Sequence, residues 1–328
     1  MRQDYLIALA LGLVACVAFV SATTGPLPMR LILFLITPLP LLLAGLGWGV
    51  RAALVAGAAG TIMLIAAGPM VAAVFALSQA VPSAVLSYLA MLNRTVPEAE
   101  TTSGASEPST QREWYPPGRL VVWAAVMAAV PAIIWSVLAD ANSTEIKAAL
   151  ATGLEAAFKA GAVGAPGGGP WTPATIAQFS AKLYAILPAG SAVAWMSGLL
   201  LTLWIAGRIM RASGQLTRPW PDLASLEFPS GTALAFATVT LAAVLLEGPV
   251  GIAGRAFCGA LLLAYFLLGL AIIHFMTRGM SWRPFVLWGL YTALLFVNGL
   301  VAIPIAIIGL TDGLLHLRRR YGSPTGGT

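Results

Sequence analysis

Long apolar runs alternate with short polar joints along this chain, and the spacing of the two predicts its architecture. The runs fall at about 5–22, 30–47, 51–67, 70–92, 118–138, 187–209, 230–247 and 256–277. Most reach the roughly 18 residues that cross about 30 Å of hydrocarbon as an α-helix. A β-barrel would alternate apolar and polar residues in segments of about ten, and these runs do not alternate. The last apolar region, 284–316, is long for one untilted crossing and short for two. Asn298, Gly299 and Pro304 near its middle predict two short helices or a broken one. The expected fold is therefore all-α: a polytopic transmembrane helical bundle of about 8–10 membrane segments.

Two polar insertions interrupt the pattern. Residues 93–117, NRTVPEAETTSGASEPSTQREWYPP, are poor in apolar side chains and read as a disordered cytoplasmic linker. It divides an N-terminal four-helix part, 1–92, from a C-terminal membrane part, 118–320, and residues 321–328 form a disordered tail. Trp114 and Tyr115 close the linker as an interfacial anchor. The second insertion, 139–186, is expected on the other face of the membrane. There Asn142 and Glu145 have the spacing of a capping box, and Ile146, Leu150, Leu154 and Phe158 recur every fourth residue. This predicts an amphipathic helix lying on the membrane or covering the bundle. A Gly-rich hinge, 164–170, and a second short amphipathic helix, 174–186, follow.

Composition narrows the class: 59% of residues are hydrophobic and 9% are charged, too few charges for a water-soluble surface. A net charge of +6 would suit nucleic acid if it were clustered, but the basic residues are dispersed among the ends of apolar runs. They read as topology signals and lipid contacts, with no nucleic-acid partner. Arg51, the group Arg94, Arg112 and Arg119, the group Arg208, Arg211 and Arg218, and the pair Arg278 and Arg283 occupy alternate connections, which predicts that those connections are cytoplasmic. Arg318, Arg319 and Arg320 belong on the same side, so both termini are expected in the cytoplasm of a bacterial inner-membrane protein. The stretches LVAC, 13–16, and VSA, 20–22, have the form of processing sites, but Asp4 and the continuing apolar run favour an uncleaved first helix.

Catalytic signatures are absent: there is no P-loop, GxSxG, HExxH or glycine-rich dinucleotide turn. Cys16 and Cys258 have no partnering spacing with each other or with the two histidines, so neither metal nor cofactor is expected. The polar groups inside the apolar runs mark a candidate ligand cavity formed by Gln79, Trp195, Tyr265, Tyr291 and Asn298. Hydrogen bonding between helices is the alternative for each. Two readings also stand for His274, four residues before Arg278: a polar group reaching the membrane edge, or a ligand contact. Arg255 is expected to pair with Glu247 or a lipid phosphate. AGLGWG, 44–49, and AGAAG, 56–60, place small residues for close helix packing.

WYPPGRL at 114–120, RPWPDLASLEFP at 218–229, LLGLAIIH at 267–274 and GLTDGLLHLRRR at 309–320 together resemble the bacterial membrane family called domain of unknown function 2232, in its alphaproteobacterial form. That family is distantly similar to the S components of energy-coupling-factor transporters. The resemblance implies an S-component-like bundle that binds a vitamin-like small molecule and depends on separate coupling and ATPase subunits. It implies no particular binding residue. The alternative role is a scaffold in envelope organisation, using Arg218 and Arg318 to Arg320 to recruit partners or membrane lipids.

Overall fold

In the computed structural model the described residues are 2–22, 26–97, 110–140, 142–161, 172–223, 226–296 and 299–315. The N-terminal part holds α1 (Arg2–Ser21), α2 (Leu27–Ile36), α3 (Pro38–Trp48), α4 (Val50–Ile65), α5 (Pro69–Phe75) and α6 (Val81–Met91). Helices α2 and α3 make one crossing, jointed at Thr37 before Pro38, with the Thr37 hydroxyl donating to the Leu33 carbonyl at 2.8 Å. Helices α5 and α6 are likewise joined, through a π turn at Ala76–Ala80. That wider turn lies just ahead of Pro82, whose ring would press on the carbonyl of residue 78 in a regular α-helix.

The C-terminal part holds α7 (Pro117–Asp140), α8 (Ser143–Lys159), α9 (Pro173–Ala212), α10 (Thr232–Leu245), α11 (Gly248–Met276), α12 (Arg283–Phe296) and α13 (Gly299–Leu315). Among the described residues, six helical stretches are long and apolar enough to cross a membrane, and four shorter apolar helices accompany them. The protein is an all-α polytopic membrane bundle. The region 284–316 does divide into two short helices, α12 and α13.

Close approach holds the bundle together. In α11 a Cβ on Gly254 would press on Ala243 of α10, one on Gly259 on Ala189 of α9, and one on Gly269 on Ile305 of α13. Facing α11, helix α7 supplies Ala124, Ala125, Ala128, Ala129 and Ala132, all with no exposed surface. The small residues read at 44–60 serve the same end: Gly45 meets Ser87, Gly57 meets Ala80, and Gly60 meets Phe75. Without a hydrophobic force between helices in lipid, such backbone approach is what dispersion contacts and packing can exploit.

Three local expectations are corrected. The segment 93–117 is paired at both ends: β1 (Asn93–Pro97) and β2 (Thr110–Trp114) run antiparallel, with Asn93 opposite Trp114 and Pro97 opposite Thr110. A two-stranded ladder needs no core of its own when α6 and α7 fix its base, and Arg94 and Glu113 join it by an ion pair at 2.6 Å. Residues 98–109, the middle of the expected linker, lie outside the described residues, as do 162–171 and 316–328. Helix α8 starts after Asn142, but no side-chain capping bond forms there, because Asn142 lacks the extended backbone that such a cap requires. The capping box belongs to α9 instead, between Thr172 and Thr175. Finally, 174–186 is not a separate helix. It is the first part of α9, 40 residues long and so about 60 Å. The change in hydropathy near 187 marks a change in the helix's surroundings, whereas the helix itself continues past Pro188, which omits one backbone hydrogen bond.

Candidate functional site

The turn between α3 and α4, the hairpin between α6 and α7, the segment 213–231 and the turn between α11 and α12 gather at one end of the bundle, and most of the arginines gather with them. The segment 213–231 is strapped down by Arg218. Its guanidinium donates to the Ala90 carbonyl at 2.6 Å and to the Tyr115 carbonyl at 2.8 Å. Ala90 lies in the last turn of α6, where helix carbonyls lack intrahelical partners, so a forked cation there satisfies otherwise idle acceptors. Burial lowers the Arg218 pKa from the ordinary arginine value. Trp220 is held between cations, its ring centre 5.6 Å from the guanidinium carbons of both Arg208 and Arg211. Further on, the Glu227 backbone lies so close to Gly118 that a Cβ there would overlap its carbonyl.

Beneath this strap lies a cleft of about 770 Å³. Leu46, Leu120, Leu200, Leu203, Leu267 and Leu270 supply apolar wall from α3, α7, α9 and α11. Its charged, imidazole and phenolic groups are Arg218, Asp222, His274, Arg278, Arg283 and Tyr291, with Arg278 and Asp222 exposed at the mouth. Arg278 donates to Asp222 at 2.6 Å on an exposed part of the rim. Its pKa is raised, first by that hydrogen bond. Nδ1 of His274 lies 2.9 Å from the Leu270 carbonyl, which can only accept, so Nδ1 carries a proton. In the neutral ring Nε2 then accepts from the Tyr291 hydroxyl at 3.2 Å. This bond ties α12 to α11. Three arginines face one carboxylate around the mouth, so its field favours an anion.

Of the residues expected around a ligand cavity, Tyr291 lines this cleft, while Gln79, Trp195 and Tyr265 do not. Gln79 is buried on the π turn with neither side-chain polar atom hydrogen-bonded, and the Trp195 indole nitrogen is also buried without a partner. Trp195 packs edge-on to Phe34, with ring centres 5.7 Å apart. Tyr265 is a core residue between Phe228 and Phe236. Asn298 lies outside the described residues, as do Arg318, Arg319 and Arg320. The residues read as topology signals fare differently: Arg218, His274 and Arg278 all line the cleft. Trp114 stacks near the Arg218 guanidinium, the Tyr115 hydroxyl accepts from the Trp123 indole at 3.2 Å, and Arg51 is exposed at the start of α4. Sequence reasoning missed Trp220, Asp222 and Arg283 as parts of one site. Their signal was the pair of prolines around Trp220, which keeps 218–222 extended and out of any helix.

Among the described residues no group of three or more His, Cys, Asp and Glu could hold a metal ion. Searches of curated proteins and of solved structures each gave no match. A family model described as "Predicted membrane protein (DUF2232)" matches residues 120–313, more than half of the chain and nearly all of α7 to α13. That stretch contains the strap, four of the six helices that line the cleft and all of its charged, imidazole and phenolic groups, and on this match the chain belongs to the DUF2232 family of membrane proteins.

Proposed function

We infer that this protein binds an amphiphilic anion in the basic-end cleft, and that binding is its role in the bacterial inner membrane. One observation carries the reading: a mostly apolar cleft of about 770 Å³ whose charged lining is three arginines against one carboxylate. Its size falls within the about 300–1,000 Å³ of small-molecule sites. The apolar body of the ligand lies along the α9 and α11 leucines, and its anionic group meets Arg283 and the His274–Tyr291 pair. Arg218 and Arg278 already have partners and hold the mouth in shape. The basic end faces the cytoplasm in this reading, by the bias of arginine toward that side. The resemblance to S components adds uptake, for which coupling and ATPase subunits must come from other chains, because this one has no Walker motif.

Native mass spectrometry of the protein released gently from its own membrane tests this. The expected result is a stoichiometric adduct of one anionic amphiphile that is lost in Arg283→Glu while the protein remains folded. A co-released ATPase would support uptake. An adduct-free protein that brings down only envelope proteins would favour the scaffold, and an adduct indifferent to Arg283→Glu would remove the cleft as its site.

A further inference from the structure

Three of the helices that line the cleft, α7, α9 and α11, also enclose a second cavity at the opposite end of the bundle, of about 310 Å³, with α8 against it. Trp135, Ile146, Leu187 and Ile252 give it apolar sides, and Asp140, Tyr184 and Arg255 are its charged and phenolic groups. Asp140 is already engaged, since it accepts from the Tyr184 hydroxyl at 2.9 Å. Lys147 of α8 sits 4.8 Å from the centre of the Tyr184 ring. Arg255 has no such partner. It stands two turns into the apolar helix α11, with its Nε buried and unbonded. Among the described residues its hydrogen bond is from Nη1 to the Ala243 carbonyl at 3.5 Å, a distance at which little bond strength remains. No ion pair joins it to Glu247, the carboxylate that the sequence suggested.

A cation partly buried among apolar helices without a direct ion-pair partner is costly, even with Asp140 elsewhere in the same cavity, and in membrane helices such residues mark binding or transport sites. The guanidinium offers a planar fork of N–H donors that matches a carboxylate or phosphate. The cavity is at the small end of the range for ligand sites and far too small for a lipid with two acyl chains. We propose that it is a binding site for a small organic carboxylate, with the carboxylate on Arg255, the body of the ligand against Trp135 and Ile252, and Ile146 of α8 closing it. Asp140 leaves one oxygen for a donor group on the same ligand. This site shares no residue with the basic-end cleft and does not depend on what the cleft binds.

The test uses the full chain in phosphatidylcholine nanodiscs, with acetate, benzoate and glutamate titrated by calorimetry and benzamide as the neutral counterpart of benzoate. At least one carboxylate should bind one-to-one and benzamide should not. Arg255→Gln should weaken that binding by about tenfold or more. Ile146→Trp, which fills the cavity and leaves the charge in place, should abolish it. Arg283→Glu, in the cleft, should leave it unchanged, which separates the fates of the two sites. The proposal is overturned if no carboxylate binds at about 10 mM, if benzamide binds as well as benzoate, or if a folded Ile146→Trp protein binds like the parent. It is also overturned if phosphatidylglycerol in the nanodisc suppresses carboxylate binding, because Arg255 would then be holding a lipid phosphate. Should Arg255→Gln fail to fold, Ile146→Trp decides alone.

Discussion

Helices α11 and α12 are neighbours in sequence and both strongly apolar, yet 13 of the 29 residues of α11 are buried and α12 has no buried residue. Phe285, Trp288 and Phe296 of α12 are 79%, 73% and 74% exposed, whereas Tyr265, Leu268 and Ile272 of α11 are 1% exposed each. Hydropathy does not separate them. Glycine placement does: Gly254, Gly259 and Gly269 each sit where a neighbouring helix touches α11, while Gly289 of α12 faces open space. In lipid, apolar side chains gain little from leaving their surroundings for one another, so association goes to helices whose backbones can approach. Because α12 does not close on α11, the wall formed by Leu267, Leu270 and His274 stays open as the cleft.

The sharpest way to break this comparison is Gly269→Leu. The new side chain would drive into the Ile305 backbone of α13, and overpacking of that kind should cost about 3 kcal/mol. Thermal unfolding in detergent should show a clear loss of stability, and a midpoint equal to the parent's would deny α11 its central place. A smaller effect is expected from Tyr291→Phe, which removes the hydroxyl bonded to His274. The global midpoint should move by no more than about 1 kcal/mol in equivalent stability. Hydrogen exchange in α12 should accelerate nonetheless, and unchanged exchange would mean that something other than this bond holds the helix. The least effect belongs to Gly289→Ala, within about 1 kcal/mol of the parent and toward greater stability. Marked destabilisation there would show that α12 packs more tightly than its exposure implies.

Much of the fold was legible before the structure because each crossing is a local property: an apolar run of sufficient length must be helical when no water can satisfy its backbone. Even the division of 284–316 could be read from Asn298 and Gly299, although Pro304, read with them, lies inside α13. The candidate site was less legible. Arg218, His274 and Arg278 were visible as charges at helix ends, and their joint position around one mouth was not, since the segment 213–231 folds back over α6 and α7 to bring them together. Gln79 and Tyr265 looked like cavity residues because they are polar groups in apolar runs. The first is buried on a π turn and the second packs between two phenylalanines. Periodicity could not foresee either neighbour.

Sequence alone determined that the chain is a multi-pass α-helical membrane protein, where most of its helices lie and which connections carry positive charge. These follow from the cost of unsatisfied backbone in hydrocarbon and from charge counted along the chain. Tertiary structure alone decided which helices touch, that Arg218 bonds the end of α6 and the residue after β2, that α12 packs little against α11, and that Arg255 lines a cavity without a direct ion pair among the described residues. Those outcomes depend on close contacts between residues more than a hundred positions apart, as in the Arg218–Ala90 bond across 128 positions, and no local pattern encodes a contact of that kind.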